Sequence, residues 1–477
     1  MSAARAEELG VAPGGLRGLA ARGTMVNALF STGLAGLGLV RTLVVAALVS
    51  TEDYGVWGII IVAFGTLGWL RQVGVSDRYV QQEDLDQELA FQRAFTMEAI
   101  VSAAYAALLL AAVPLVVLVF DEPRVAGPAL ALCLVVPATV LQTPIWVWYR
   151  RMRFVRQRLL LAVDAVVGLL VTIAAAAAGL GVWAFVAGAL AGAWSGALVA
   201  VLTSPYPLRL RIDRATVRSY LGFSWPLFAA GLAGVVTAQL AVFTADQRLG
   251  LAAVGAIALA GGLAEFTHRV DGVVTQALYP AICAVADRLD VLREAFLKSN
   301  RLTLMWGMPF GAGLALFAQP LVDHVLGEKW QQAVVLLQAL GVGSALNHVA
   351  FNWDAFLRAR GDTRPVAVWA VASFAAFLVV PLPLLAFEGL PAYAWGLVVF
   401  AVVSLALRAW LLAGLFRPGD VLGLLVRGAA PVLPGAALVL ALDAPVLVEL
   451  ALFVLPAAAL TALLERALLR EALGYLR

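Results

Sequence analysis

Charged residues are scarce in this chain of 477 residues, and their scarcity excludes an ordinary soluble fold. Only 13% of the residues are charged, 62% are hydrophobic, and the mean hydropathy is +0.93. A soluble domain usually carries charge on about 25% of its residues. Apolar runs of about 20 residues, the length that crosses a bilayer, recur along the whole sequence. The composition therefore predicts an integral membrane protein.

Cysteines, long loops and nucleotide motifs are also few or missing. Cys133 and Cys283 lie in or beside apolar segments without metal-ligand spacing, so we expect neither a disulfide framework nor a zinc site, and no cofactor. The sequence has no GxxxxGK(S/T) phosphate loop and no connection long enough for a catalytic domain. This argues against ATP-driven transport by this chain and against an enzyme. Residues 1–23 are polar and lack the apolar core of a cleavable signal peptide.

Basic residues are sorted between the connections in a way that predicts membrane topology. Most of the 33 Lys and Arg lie in every second connection or at the chain ends, whereas the intervening connections hold Arg124, Arg248 and Lys329. Basic loops remain on the cytoplasmic side of a membrane. The pattern predicts about fourteen transmembrane helices with both termini cytoplasmic. It also attributes the net charge of +3 to topology rather than to nucleic-acid binding.

The predicted spans are 24–49, 55–72, 94–120, 126–148, 159–179, 181–203, 220–245, 252–274, 302–326, 331–357, 365–387, 390–414, 420–441 and 445–463. A weak internal repeat divides them, because the hairpin at 49–55 has a counterpart at 249–255, each opening a new span. An even number of spans per repeat gives parallel halves. We therefore predict an all-α polytopic membrane protein with two six-helix lobes and two further C-terminal helices. The predicted parts are a cytoplasmic segment 1–23, lobes 24–203 and 220–414 joined by a cytoplasmic linker 204–219, and the C-terminal part 415–477.

Several short motifs resemble one family of membrane proteins. They are STEDYG at 50–55, Val80-Gln81, RRMRF at 150–154, GLGVW at 179–183, LGEKW at 326–330 and FLRARGD at 356–362. Together they resemble the Wzx-type lipid-linked oligosaccharide flippases, which share a superfamily with the MATE drug exporters and the lipid II flippases. The resemblance covers roughly residues 20–415. Ala241 stands where family members often carry an aspartate, so cation coupling through that carboxylate is not expected here.

The resemblance implies a substrate and a setting. It implies movement of an oligosaccharide on an undecaprenyl-diphosphate type lipid across the cytoplasmic (inner) membrane, by alternating access, for cell-surface polysaccharide biosynthesis. Membrane lipids, a polysaccharide polymerase and export proteins are the expected partners. Such a substrate brings a diphosphate into the membrane, so the protein needs cationic groups that bind it there.

Arg41 and Arg269 are identified as arginines inside apolar segments. Arginine pairs with phosphate oxygens bidentately and stays charged, and a charge at membrane depth is costly enough to suggest a function. Both are therefore predicted diphosphate contacts. The alternatives are a structural ion pair or snorkelling to the membrane surface, and Glu265 could neutralise Arg269.

Helical spacing places further polar residues on the faces of the two arginines. Asn27 and Ser31 share the face of Arg41, and Gln276 shares that of Arg269, so all three are predicted to line a polar cavity. Glu265 and His268 lie on the same face and are the candidates for proton or cation coupling.

Other functions remain open at this point. A MATE-like cation-coupled exporter of small organic molecules would favour carboxylates and aromatics over arginines at membrane depth. A lipid II-type flippase would share the expected chemistry. A membrane glycosyltransferase or polymerase would need a larger external loop than the sequence offers, and a non-transporting envelope scaffold is a further alternative.

Overall fold

The computed structural model is all-α within the part of the chain that it describes. The described residues are 15–68, 75–81, 84–151, 153–212, 236–268, 271, 274–275, 278, 282, 287–360, 362, 364–442 and 444–474. The chain divides into two compact units, Met1–Phe243 (unit 1) and Thr244–Arg477 (unit 2). The lobe boundaries predicted from the sequence stay a prediction.

Unit 1 consists of long apolar helices and short ones in the described residues. Its α-helices are α1 Gly15–Leu48, α2 Thr51–Gly68, α3 Val75–Gln81, α4 Gln87–Phe120, α5 Ala126–Leu132, α6 Val135–Leu141, α7 Pro144–Arg150, α8 Phe154–Ala177 and α9 Trp183–Leu202. A 3-10 turn, Pro123–Val125, precedes α5, and residues 236–249 form a further helix.

Unit 2 has a similar alternation of long and short elements. Its described α-helices are α10 Leu251–Glu265, α11 Leu289–Leu316, α12 Ala318–Leu321, α13 Gln331–Asn347, α14 Trp353–Ala359, α15 Arg364–Val379, α16 Pro381–Phe387, α17 Leu390–Leu412, α18 Pro418–Ala429, α19 Leu433–Ala441, α20 Val446–Leu464 and α21 Arg466–Gly474. A 3-10 turn, Phe266–His268, follows α10, and a π-helical turn, Val322–Leu326, and a 3-10 turn, Glu328–Trp330, precede α13.

The helices have the length and the surface of membrane spans. Among the described residues, eight are long and apolar enough to cross a bilayer, or ten if two bent pairs each form one span. Large apolar side chains point outward from them, with Leu118 78% and Leu447 80% exposed. Such a surface is compatible with lipid rather than water. The chain is therefore a multi-pass membrane protein, as the composition predicts.

The predicted number of fourteen spans is not confirmed. The predicted span 331–357 is broken into α13 and α14, and most of the predicted span 220–245 lies outside the described residues. Hydropathy measures how apolar a segment is, but it does not detect a turn in the middle of the segment. Fourteen therefore stays a prediction.

Glycines allow the closest helix pair of unit 1 to form. A Cβ placed on Gly192 of α9 would lie 2.7 Å from the carbonyl oxygen of Asp164 in α8. One on Gly168 would lie 3.2 Å from the Gly188 carbonyl oxygen. Membrane helices pack by such close approach because lipid provides no hydrophobic force between them. The packing also presses the Asp164 side chain against α9.

Unit 2 also has a close helix pair with glycines at the contact, and one helix of this pair, α13, ends at a break in the chain. Cβ atoms on Gly311 of α11 and Gly341 of α13 would each lie 2.6–2.7 Å from the carbonyl oxygen of the other residue. After Asn347, Ala350 adopts φ 59°, a left-handed conformation that stops a helix. The chain resumes as α14 at Trp353. The break leaves backbone carbonyls at the end of α13 that need hydrogen-bond donors.

Candidate functional site

Arg41 in unit 1 is exposed within an apolar helical stretch. It lies in the stretch Gly33–Leu48 of α1. The Asp164 carboxylate of α8 and the Tyr54 hydroxyl of α2 are near enough to interact with it electrostatically. No described carboxylate lies within ion-pair distance of its guanidinium. The guanidinium is therefore exposed and is not neutralised at contact distance by a described carboxylate.

The Asp164 carboxylate is fixed by neighbouring groups of unit 1. Its Oδ2 accepts a hydrogen bond from Gln142 Nε2 at 3.3 Å, and the same amide donates to the Ala193 carbonyl at 3.0 Å. A Cβ on Gly192 would lie 2.6 Å from its Oδ1. Asp164 thus places a fixed carboxyl group near Arg41 without forming an ion pair with it.

Unit 2 brings together three ionisable side chains where α10 and α13 end. His268 Nδ1 lies 3.2 Å from Asp271 Oδ2, and His348 Nε2 lies 3.4 Å from the same oxygen. The two imidazole rings stack with centroids 4.8 Å apart and planes 6° apart. His348 is fully buried, whereas His268 and Asp271 are partly buried. The ligand atoms of the three residues lie within 4.8 Å of one another, the spacing of groups that share a proton or a cation.

Arg408 of α17 covers the broken end of α13. It is buried, and it donates to the Asn347 carbonyl at 3.0 Å and to Asn347 Oδ1 at 2.7 Å. A longer bond of 3.4 Å reaches the Val349 carbonyl. A cation at a helix C-terminus is stabilised by the helix dipole. Sequence reasoning missed Arg408, although its position inside the apolar segment of α17 is the same signal that identified Arg41.

The structure describes only some of the other predicted site residues. Glu265 is exposed at the last position of α10, and the structure brings no described partner to it. Asn27 and Ser31 lie on α1, but their side chains are not among those that the structure describes. Arg269 and Gln276 lie outside the described residues altogether. Of the predicted set, only His268 falls within a described cluster, and its partners Asp271 and His348 were not predicted.

Two of the family-like motifs contact each other in unit 1. Ser50 Oγ accepts from the Asp53 backbone N–H at 3.1 Å and donates to Asp53 Oδ2 at 2.8 Å, which caps α2. A Cβ on Gly181, whose φ is +54°, would lie 2.6 Å from the same carboxylate oxygen. Trp57 stacks on Phe185 with centroids 4.7 Å apart. These motifs therefore fix the packing of a hairpin.

A second pair of motifs also meets. Arg150 is buried at the end of α7 and donates to the carbonyls of Tyr79 at 3.3 Å and Val80 at 2.8 Å. Those carbonyls belong to the last turn of α3, which a cation stabilises. The motif arginine therefore has a structural role in unit 1.

Comparison with known proteins agrees with this architecture. Residues 44–335 match a family described as polysaccharide biosynthesis protein. The succinoglycan biosynthesis transport protein ExoT of Rhizobium meliloti is 24% identical over 350 residues, which cover 72% of this chain and 70% of that protein. The lipopolysaccharide biosynthesis protein WzxC of Escherichia coli is 26% identical over 152 residues, covering 32% of this chain and 31% of that protein. These matches confirm the resemblance drawn from the motifs.

Solved structures of the same fold include transporters. The lipid II flippase MurJ in its inward closed conformation superposes with a TM-score of 0.71 at 12% identity, covering 93% of this chain and 100% of that one. An inward-facing multidrug MATE transporter gives a TM-score of 0.61 at 14% identity, covering 82% and 98%. At such identities the likeness shows the fold alone, and it confirms the predicted fold class.

Proposed function

The chain belongs to the polysaccharide biosynthesis protein family, and from this premise we propose that it is a flippase for lipid-linked oligosaccharides. Its relatives include a succinoglycan transport protein and a lipopolysaccharide biosynthesis protein, and a lipid II flippase shares its fold. The proposed substrate is an oligosaccharide on an undecaprenyl-diphosphate type carrier. The proposed movement, by alternating access, is from the cytoplasmic to the outer leaflet of the cytoplasmic membrane.

The exposed guanidinium of Arg41 is the observation that carries this proposal. A charge in an apolar span costs several kcal/mol unless it is paired or used. Arg41 has no close ion pair among the described residues, and the nearby Asp164 already accepts from Gln142. A guanidinium binds two phosphate oxygens at once and stays charged at any physiological pH. We assign Arg41 as a contact of the substrate diphosphate.

The remaining sequence-derived site residues complete the proposal. Arg269 is proposed as a second phosphate contact. Asn27, Ser31 and Gln276 are proposed to line the polar path of the glycan, because amide and hydroxyl groups replace the water that sugar hydroxyls lose. Glu265 and His268 remain proposed coupling residues.

The setting follows from the same proposal. Both termini are proposed to be cytoplasmic, since the basic connections identify that side of the membrane. A polymerase and export proteins are proposed to use the translocated lipid-linked glycan. The flippase itself performs no covalent chemistry in this scheme.

A fluorescent lipid-diphosphate oligosaccharide in proteoliposomes containing the full chain tests the proposal. We expect Arg41→Ala to slow translocation about tenfold or more, because a charge-assisted contact is worth about 1.5–3 kcal/mol. Arg41→Lys should recover part of the rate, since it restores the charge without the planar fork. A rate for Arg41→Ala equal to that of the unaltered chain would remove Arg41 from the site.

Arg248→Ala provides the matched control. Arg248 is also an exposed arginine, but it lies at the end of a helix, where its guanidinium sits 5.8 Å from the Phe387 ring centroid. Its loss changes the net charge equally and should leave translocation unchanged. Translocation of an organic cation but not of the diphosphate lipid would favour the MATE-like alternative, and then Arg41→Ala should not slow transport.

A further inference from the structure

His348 occupies a fully buried position where the end of α13, α11 and the turn Phe266–His268 meet. Gly307 of α11 leaves the space for its ring, because a Cβ there would overlap the imidazole. The His268 ring covers one face of it. His348 is thus held in a single orientation by the packing of unit 2.

Both ring nitrogens of His348 face backbone carbonyl oxygens. Nδ1 lies 2.7 Å from the Ser344 carbonyl and Nε2 lies 2.8 Å from the Thr267 carbonyl. A carbonyl oxygen can only accept a hydrogen bond, so each nitrogen must carry a proton to bond with it. A neutral imidazole has one N–H and would place a lone pair against the second carbonyl. Only the imidazolium, with two N–H groups, satisfies both contacts.

The surroundings contain the charges that an imidazolium needs. Asp271 Oδ2 lies 3.4 Å from Nε2 and supplies a negative charge. The C-terminus of α13, at which His348 stands, adds the negative end of a helix dipole. Arg408 of α17 is an opposing cation, but its donors are used by Asn347, Val349 and Ser404, and it also interacts electrostatically with Asp271. The stacked His268 is a further titratable group at this position, and its Nδ1 lies 3.2 Å from the same Asp271 oxygen.

We propose that His348 is a proton-binding site whose occupied state joins the end of α13 to the turn Phe266–His268. When His348 loses the proton from Nε2, the nitrogen lone pair faces the Thr267 carbonyl and the bond between the two elements is lost. The proton leaves toward Asp271 Oδ2, the nearest carboxylate oxygen, or toward water. Rising pH therefore loosens this contact and falling pH restores it.

A metal ion is the competing ligand for the same three side chains. Metal binding by His348 needs a ring nitrogen with a free lone pair, and both of its nitrogens already point at carbonyl oxygens. The geometry therefore favours a proton over a cation such as Zn²⁺. As a coupling site for transport the proposal rests on the proposed function, whereas the protonation of His348 does not.

Nitrogen-15 NMR of histidine-labelled full-length protein in lipid nanodiscs tests the protonation, since the chain has only three histidines. At neutral pH we expect one buried histidine with two protonated ring nitrogens. Its signals should disappear in His348→Gln and persist in His324→Gln, which alters the exposed histidine. A His348 signal with one unprotonated nitrogen would overturn the proposal. So would a metal-bound nitrogen signal on addition of Zn²⁺.

Asp271→Asn keeps His348 and covers the case in which His348→Gln does not fold. It removes the counter-charge while preserving the shape of the side chain, so the protonated fraction of His348 at neutral pH should fall. An unchanged fraction would contradict the assigned role of Asp271.

Flipping assays at several pH values then test the coupling. His348→Gln should lose the pH dependence of translocation, whereas Arg41→Ala should slow translocation at every pH. A retained pH dependence in His348→Gln overturns coupling at this site without touching the flippase proposal. No translocation by the unaltered chain at any pH would reject the proposed function but leave the NMR result standing.

Discussion

The two units of the molecule treat a cation inside an apolar helix in opposite ways. In unit 1, Arg41 is exposed on α1, and the nearby Asp164 accepts a hydrogen bond from Gln142. In unit 2, Arg408 is buried on α17, and its guanidinium donors bond to oxygens at the broken end of α13. Beside it, His348 is enclosed with both nitrogens bonded. Unit 1 has an exposed charged side chain, whereas the buried charged side chains of unit 2 form hydrogen bonds at the end of a helix.

This contrast separates two reasons why a membrane protein keeps a charged group. A buried cation whose donors bond to backbone and side-chain oxygens stabilises an irregular backbone that lipid could not solvate. An exposed cation lacks that explanation, and we propose that its cost is offset by binding a ligand. The same residue type in the same kind of segment therefore predicts loss of stability in one unit and loss of transport in the other.

Arg408→Ala is expected to have the largest effect on folding. It removes the donors to the Asn347 carbonyl and side chain and leaves these oxygens at the end of α13 without their partner. A buried acceptor left unsatisfied costs about 1–3 kcal/mol, and more than one oxygen loses its donor here. Thermal unfolding in detergent should show a large drop in stability, with partial recovery in Arg408→Lys.

Arg41→Ala is the matched substitution in unit 1. Since Arg41 is exposed and makes no close ion pair with a described residue, its loss should change the free energy of unfolding by no more than about 0.5 kcal/mol. Equal losses of stability for the two arginines would show that the contrast between the units is not real.

The fold can be predicted from the sequence because the bilayer restricts which residues can lie in the spans and in the connections. Apolar runs and sorted basic loops are both readable residue by residue, and they lead directly to a multi-pass helical protein. The break after Asn347 could not be found that way, because Ala350 is an unremarkable residue in an apolar run and adopts its left-handed φ only in the folded unit.

The site was predicted less completely for a related reason. Helical spacing found His268, but it compares positions within one helix. Asp271 follows the end of the turn Phe266–His268, and His348 directly follows the last residue of α13, so only tertiary packing brings the three together. Arg408 could have been found by the rule that identified Arg41, applied to every apolar segment.

Gly192→Ala tests the helix pair that holds Asp164 beside Arg41. The new Cβ would lie 2.6 Å from Asp164 Oδ1 and 2.7 Å from the Asp164 carbonyl oxygen. Overpacking of this kind costs about 1–3 kcal/mol, and the displaced carboxylate should also alter translocation. Gly65→Ala is the control, because nothing lies within 4 Å of a Cβ at that position on α2. Both variants would be compared by thermal unfolding, and equal stability would contradict close packing of α8 and α9.

The smallest loss of stability is expected from an exposed ion pair in unit 1. This loss is the reference with which the effects of the buried charges are compared. Arg124 Nε lies 3.0 Å from Glu122 Oε1, and this pairing lowers the pKa of the Glu122 carboxyl. A lowered pKa in the folded state means that the stabilisation is present above the unfolded pKa of about 4.3 and is lost as the pH falls through the folded value. Glu122→Gln should therefore destabilise the protein by less than about 1 kcal/mol at pH 7, and by still less in acid. Unfolding measured at neutral and acidic pH checks this, since a penalty independent of pH would mean that the carboxylate charge of Glu122 does not stabilise the fold.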